Sequence, residues 1–126
     1  MALSTTTVRT QVSDTRYKDT AATGGLILLT ATDSQVIHQV KIDNTANTTK
    51  AFLAVWNKNA TTDVTLGTTH PDLVLPVEAS TSVEYAFEPG IPNSLGIVYL
   101  VSTEAGTPDA SPAAVATAIT VEFLFA

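Results

Sequence analysis

Hydrophobic and polar residues alternate along three segments of this 126-residue chain: 35–43, 81–87 and 118–125. Alternation with a period of two is typical of a β-strand that is buried on one face and solvated on the other. A fourth segment, 51–57, is apolar at both parities and contains Trp56, the only tryptophan. That pattern predicts a central strand covered on both faces, either within a sandwich or at an interface, with Trp56 as its anchor. Shorter apolar runs of strand length occur at 26–30, 73–77 and 95–102.

Polar connectors rich in Asn, Thr, Pro and Gly separate these runs, and no segment shows a convincing helical period of 3.6 residues. Strands at this spacing predict an all-β fold, a jelly-roll-like β-sandwich with seven or eight antiparallel strands. The eighth would be a weak strand near residues 8–12. Pro76 predicts an edge strand or a bulge. The connector after Asp43 is predicted to be a polar hairpin tip.

The length predicts one domain, preceded by a polar segment with few apolar anchors. We therefore predict an N-terminal arm over residues 1–20 and a β-sandwich domain over residues 21–126. Three of the six basic residues, Arg9, Arg16 and Lys18, lie within the arm. The arm is thus locally basic in a chain whose net charge is −6.

Charge and composition argue against several classes of function. A net charge of −6 argues against nucleic-acid binding, which needs Lys and Arg at the phosphates. No apolar run approaches the roughly 18 residues that span a membrane, so we expect no membrane partner. The N-terminus lacks the apolar region of a signal peptide. Cysteine is absent, which excludes disulfides and thiolate metal ligands.

Candidate catalytic residues are few and scattered. His38 lies mid-strand on the apolar parity, without a His or carboxylate two residues away, so a satisfied core or interface histidine is the favoured interpretation. His70 lies in a His-Pro-Asp loop, which offers too few ligands for a metal site. No Gly-x-Ser-x-Gly motif occurs, and no pair suited to glycoside hydrolysis stands out among Glu78, Glu84, Glu88 and Glu104. We therefore predict that the chain is not an enzyme and that it binds no cofactor.

Five short sequence motifs follow one another over residues 35–126, and their order is more specific than any one of them. They are Asn44-Thr45-Ala46-Asn47 with Lys50 and Trp56-Asn57-Lys58; Pro71 to Val77; Phe87-Glu88-Pro89-Gly90-Ile91; Gly96-Ile97 through Thr103; and Ile119 to Phe125. Each element alone is ordinary β-strand and turn sequence. Their order and spacing resemble a group of small virion structural proteins of tailed phages, similar to head decoration or cement proteins.

The resemblance implies a capsid cement protein that binds the outer surface of the head and stabilises the shell by non-covalent contacts. It implies two partners, the major capsid protein and the chain itself, with a homotrimer expected ahead of a dimer. An interior protein touching DNA would be basic, so the acidic chain favours the outer surface of the virion head. The predicted partner-binding residues are Arg9, Arg16, Tyr17, Lys18 and Trp56.

Three other functions stay open on the sequence. A tail, neck or fibre protein of the virion fits the same pattern. A carbohydrate-binding β-sandwich would need an exposed aromatic platform. The alternation instead places the aromatic residues of this chain on strand faces that point toward the core or an interface. A hydrolase would need acids that converge on His38 or His70.

Overall fold

The computed structural model describes residues 15–22, 24–30 and 35–126. Over these ranges the chain forms eight β-strands and one short 3₁₀ turn at Thr61–Asp63. The strands are β1 Thr15–Ala22, β2 Ile27–Thr30, β3 Gln35–Asp43, β4 Ala51–Trp56, β5 Leu73–Val77, β6 Ser82–Asn93, β7 Ile97–Ser102 and β8 Ile119–Phe125. Two of the strands that alternation predicted, β3 and β8, begin and end at or next to the expected residues. The third, β6, runs six residues beyond the predicted end at Phe87, because the Pro- and Gly-containing segment that follows continues to pair with β3 beyond a register shift.

The strands form two four-stranded sheets, in the orders β1-β8-β3-β6 and β2-β7-β4-β5. All neighbours are antiparallel, and β1 pairs with β8, β2 with β7, β3 with β6 and β4 with β5. These are the pairs of one long hairpin rolled up on itself, which is the jelly-roll plan. The predicted all-β sandwich is therefore confirmed. The edge position of β5, which Pro76 predicted, is confirmed as well.

The first strand corrects the predicted boundary between arm and domain. β1 begins at Thr15 and pairs with β8, so residues 15–20 belong to the sandwich. Tyr17 and Asp19 are partly buried, while the basic residues that alternate with them are exposed. The sequence concealed this strand because a polar residue, Asp19, occupies an inward position. Residues 1–14, which include the predicted weak strand, lie outside the described residues.

The core lies between the two sheets and is built from alternate residues of each strand. On β8, the inward residues are Ile119, Val121, Phe123 and Phe125, and all four are buried. The Phe123 ring packs on that of Tyr99 in β7, with centroids 5.2 Å apart. Full burial of a large apolar side chain contributes about 1.5–3 kcal/mol. The same alternation fixes which β8 residues point outward.

A second, smaller cluster covers the outer face of the sheet β2-β7-β4-β5. Trp56 of β4 is fully buried there, and its indole N–H donates to the backbone oxygen of Thr69 at 3.0 Å. Val64 and Leu66, from the connector after β4, pack in this cluster. The connector is mostly polar, yet its few apolar residues cover the sheet. The prediction that β4 is covered on both faces is confirmed.

The connector between β3 and β4 is mostly exposed, as the sequence predicted, but two of its asparagines are buried in a polar network. The connector joins the two sheets, so the predicted hairpin is wrong. Asn44 is 0% exposed and Asn47 is 2% exposed. The Asn47 amide donates to Asn44 Oδ1 and to the Thr117 backbone oxygen, both at 2.9 Å, and its own oxygen accepts the Thr117 N–H at 2.8 Å. The Asn44 amide donates to the backbone oxygens of Thr49 and Glu78. Two asparagines thus join three segments of the chain at one end of the sandwich.

Candidate interaction surface

Polar side chains cover the outer face of the sheet β1-β8-β3-β6, at the positions that alternate with the core. The strand register aligns them in three rows, which together we name the ladder face. The rows are Arg16, Leu124, Gln39 and Ala86; Lys18, Glu122, Lys41 and Glu84; and Thr120, Asp43 and Ser82. Every member is exposed or partly exposed.

The middle row of this face is a ladder of alternating charge. Lys18 lies opposite Glu122, Glu122 opposite Lys41, and Lys41 opposite Glu84. Four neighbouring strands therefore present positive, negative, positive and negative charges in order across the sheet. Directly opposed pairs of opposite charge stabilise a sheet by roughly 0.2–1 kcal/mol each. The order also defines the charge pattern that a partner surface meets.

Both acids of the ladder are held by hydrogen bonds. Arg16 donates Nε to Glu122 Oε1 at 2.7 Å and Nη2 to Oε2 at 3.0 Å, a two-point contact. This hydrogen bond from Arg16, together with the positive charges around it, holds the pKa of Glu122 below its ordinary value. At the other end of the ladder, Gln39 Nε2 donates to Glu84. The Glu122 carboxylate is therefore ionised and fixed in position at neutral pH.

A shallow depression of about 140 Å³ opens on the ladder face. It is lined by Lys18, Lys41, Asp43, Ser82, Thr120 and Glu122. The Asp43 carboxylate accepts the Thr45 hydroxyl at 2.6 Å and the Thr45 N–H at 3.0 Å, and these bonds hold its pKa below the ordinary value. Ligand pockets usually measure about 300–1,000 Å³. The depression therefore suits one inserted side chain better than a free small molecule.

Three of the predicted partner-binding residues lie on β1. Arg16 and Lys18 are exposed and belong to the ladder face. Tyr17 points to the other side of the strand, where it is partly buried and its ring meets that of Tyr99 edge-on, with centroids 6.1 Å apart. The structure thus places the two basic residues together and separates the tyrosine from them.

The other two predicted residues do not join this surface. The prediction for Trp56 is wrong, because the side chain is 0% exposed beneath its own connector and offers no contact area. Arg9 lies outside the described residues. The sequence did not predict that Lys41, Glu84 and Glu122 belong to one surface. Their outward parity was readable from the alternation, but their alignment in one row depends on strand register.

A buried hydroxyl joins β1 to the opposite sheet. Tyr99 of β7 is 0% exposed, and its hydroxyl donates to Asp19 Oδ2 at 2.5 Å, with the Tyr17 hydroxyl 3.2 Å away. Burial raises the pKa of Tyr99, and the hydrogen bond to Asp19 raises it further, so the phenol stays a donor. This contact fixes the strand that presents Arg16 and Lys18.

Removal of this hydroxyl should loosen β1. We expect Tyr99→Phe to lower the free energy of unfolding by about 1.5–3 kcal/mol, because the Asp19 carboxylate loses the hydrogen bond that it accepts from the Tyr99 hydroxyl. Tyr85→Phe is the matched control, since the Tyr85 hydroxyl donates to a neutral backbone oxygen, that of Pro76. Its cost should be about 1 kcal/mol. Urea denaturation followed by fluorescence measures both, and equal costs would contradict the anchoring role of Asp19.

The other candidate groups are dispersed over the described residues. His38 lies at the register shift of β3, and its Nδ1 is buried without a hydrogen-bond partner. It is therefore not a satisfied core histidine, and the alternative of an interface histidine stays a prediction. His70 Nδ1 hydrogen-bonds the hydroxyl of Thr107. Within the described ranges, no three His, Cys, Asp or Glu side chains group as metal ligands. No helix in the same ranges has the length and apolar character needed to cross a membrane.

No family model, no curated protein and no solved structure matches this chain. The candidate site therefore rests on the chain's own geometry. That geometry is a charged outer sheet face, aligned in rows, beside an outer strand that is anchored to both sheets.

Proposed function

We propose that this chain is a capsid cement or decoration protein of a tailed phage. It binds the outer surface of the head and stabilises the shell without catalysis. Its partners are the major capsid protein and further copies of itself. The support from sequence is the order of motifs over residues 35–126. The support from structure is a two-sheet sandwich that presents one charged sheet face outward.

The contrast between the two outer sheet faces is the observation that carries this proposal. The chain covers one face with its own connector, through Val64 and Leu66 packed with Trp56. The described residues leave the other face lined by charges in register. Complementary charge patterns steer protein partners together and fix the register of their contact. Binding to another protein is therefore the activity that this face supports.

Cement function follows from binding energy that is repeated over many sites. A standard protein interface buries about 1,600 Å² and fixes the orientation of its partners. When one copy touches two neighbouring capsomers, the second contact forms at a high effective concentration and strengthens the whole shell. Residues 1–14 directly precede β1 in the chain, so they are the segment best placed to supply a second contact.

The direct test is binding of the purified chain to phage heads prepared without it, followed by imaging of the decorated particles. We expect saturable binding at regular positions on the head lattice and a shell that resists heat better. Binding only at the tail or neck would move the function to attachment or assembly. Failure to bind any part of the virion would refute the proposal.

Two truncations separate the role of residues 1–14 from that of β1. Deletion of residues 1–14 should leave the fold intact and weaken head binding about tenfold, because one of two linked contacts is lost. Deletion of residues 1–18 removes half of β1, including the Arg16 contact to Glu122, and exposes β8. It should lower the free energy of unfolding by about 2–4 kcal/mol. Circular dichroism and head binding measure the two effects, and equal stability of the truncated chains would contradict the role of β1.

A further inference from the structure

We propose that the ladder face binds the ladder face of a second copy of this chain, around a two-fold axis that runs parallel to the strands. This inference does not depend on a capsid partner. It rests on the order of charges across four strands and on the distribution of charge over the whole chain.

The charge order of the ladder is complementary to itself under this symmetry. An axis in the plane between the two copies, running between β8 and β3, places β6 of the second copy over β1 and β3 of the second copy over β8. Lys18 then faces Glu84 of the second copy, and Glu122 faces Lys41 of the second copy. Each copy contributes the same two pairs in reverse, which is the definition of an isologous interface.

The neighbouring rows accept the same arrangement. Arg16 faces Ala86 of the second copy, and Asp43 faces Thr120 of the second copy, so no like charges oppose each other. A two-fold axis perpendicular to the strands would instead place each strand over itself. Lys18 would then face Lys18, and repulsion between like charges would oppose that contact. The ladder therefore selects one orientation out of two.

The ladder face is also the place where two copies of an acidic chain can approach each other. Three of the six basic residues of the chain lie on it, Arg16, Lys18 and Lys41, and they balance Glu122, Glu84 and Asp43. The whole net charge of −6 therefore lies outside this face. Contacts between other parts of the surface, which together carry this net negative charge, are on average opposed by repulsion within the Debye length of about 8 Å at physiological salt.

The size of the face sets the expected strength of the contact. Four strands spaced about 4.8 Å apart and five residues deep give a sheet face of roughly 300–400 Å² per copy. Specific interfaces below about 1,200 Å² in total belong to the weak and transient class. The dimer should therefore form at high protein concentration, or where a partner holds many copies side by side. Because the contact is isologous, it favours a dimer over the homotrimer that the resemblance suggested.

Charge reversal at the two ends of the ladder tests the geometry. Lys18→Glu and Glu84→Lys each place like charges in both outer pairs of a homodimer. Mixing the two variants restores both pairs, because the two reversed residues then face each other with opposite charge, and so do the two native residues. Sedimentation equilibrium of the full chain, from about 10 µM to about 1 mM, should show a weak dimer that dissociates further at high salt. Each variant alone should associate at least about tenfold more weakly, and the equimolar mixture should recover most of the loss.

Lys58→Glu is the matched control, since it makes the same charge change as Lys18→Glu at a position outside the ladder face. It should leave self-association close to that of the native chain, and circular dichroism should show that all three variants are folded. The proposal is overturned if the chain stays monomeric at about 1 mM, if the mixture does not recover association, or if Lys58→Glu weakens the dimer as much as Lys18→Glu. Head binding does not enter this test, so its failure leaves the proposed function untouched.

Discussion

Gly96→Ala should lower the free energy of unfolding by about 3 kcal/mol, a large effect for the addition of one methyl group. A Cβ at this position would lie 2.5 Å from the backbone oxygen of Thr30 and 2.6 Å from that of Lys58. Backbone atoms cannot rotate away as the end of a flexible side chain does, so the chain itself would have to shift. The φ angle of +154° adds strain for any residue that carries a Cβ.

Side-chain hydrogen bonds keep this turn from moving to make room. Asn57, directly after β4, accepts the Leu95 N–H at 2.8 Å and the Gly96 N–H at 3.4 Å with Oδ1, and its amide donates to Ser94 Oγ at 3.2 Å. The Asn57 N–H in turn donates to Asp72 Oδ2 at 2.6 Å. The turn between β6 and β7 is therefore fastened to the end of β4, and an added methyl group meets a fixed backbone.

Urea denaturation of three glycine variants separates close contact from backbone conformation. Gly106 has a φ of +79°, but a Cβ there meets nothing within 4 Å, so Gly106→Ala should cost about 1–2 kcal/mol. Gly25 has open space and no such φ, and Gly25→Ala should be neutral. The melting temperature of Gly96→Ala should fall by roughly 10 °C. A cost no larger than that of Gly106→Ala would show that the two carbonyl contacts yield easily.

The strands were predictable because a strand that is buried on one face alternates apolar and polar residues along the sequence. β8 is the clearest case: Val121 and Phe123 point inward, while Glu122 and Leu124 between and beyond them point outward. The apolar residues at both parities of β4 likewise predicted cover on both faces. What the sequence did not show is the source of that cover. Val64 is one of only a few apolar residues in a long polar connector, and nothing local indicates that the connector folds back.

The ladder face could not be predicted from the sequence because it depends on the register between strands that are far apart in the chain. Arg16 and Glu122 are 106 residues apart, and no local pattern pairs them. Parity indicates that Lys41 and Glu84 point outward, but a shift of two residues would keep that parity and break the row. Rows of side chains are therefore a property of the folded sheet, whereas single exposed charges are a property of the strand.

Asn47→Asp should cost about 3–5 kcal/mol at pH 7, although it replaces only an amide nitrogen by an oxygen. The nitrogen of Asn47 donates to Asn44 Oδ1 and to the Thr117 backbone oxygen, both at 2.9 Å. A carboxylate oxygen in its place would face two acceptors with no proton between them. The side chain is 2% exposed, so water cannot replace the lost donors.

Two control variants separate charge from the loss of hydrogen bonds. Asn47→Ala removes the same donors without adding a charge, and should cost about 2–3 kcal/mol through the unsatisfied groups of Asn44 and Thr117. Asn59→Asp makes the same chemical change at an exposed position and should be nearly neutral. Asn47→Ala also removes the oxygen that accepts the Thr117 N–H, so the change of the difference between the two variants with pH, rather than its size at one pH, reports the cost of a negative charge in the buried network.

The dependence of that difference on pH is the sharpest readout. Burial among carbonyl oxygens disfavours the charged form, so the carboxyl at position 47 should have a folded-state pKa above its unfolded value of about 3.9. The charge penalty is then complete above the folded-state pKa and shrinks as the pH falls toward the unfolded value, because the carboxyl becomes neutral in both states. From pH 7 to pH 4, Asn47→Asp should regain stability relative to Asn47→Ala. A difference that stays constant over this range would mean that the network opens to water, which would contradict the buried junction of Asn44 and Asn47.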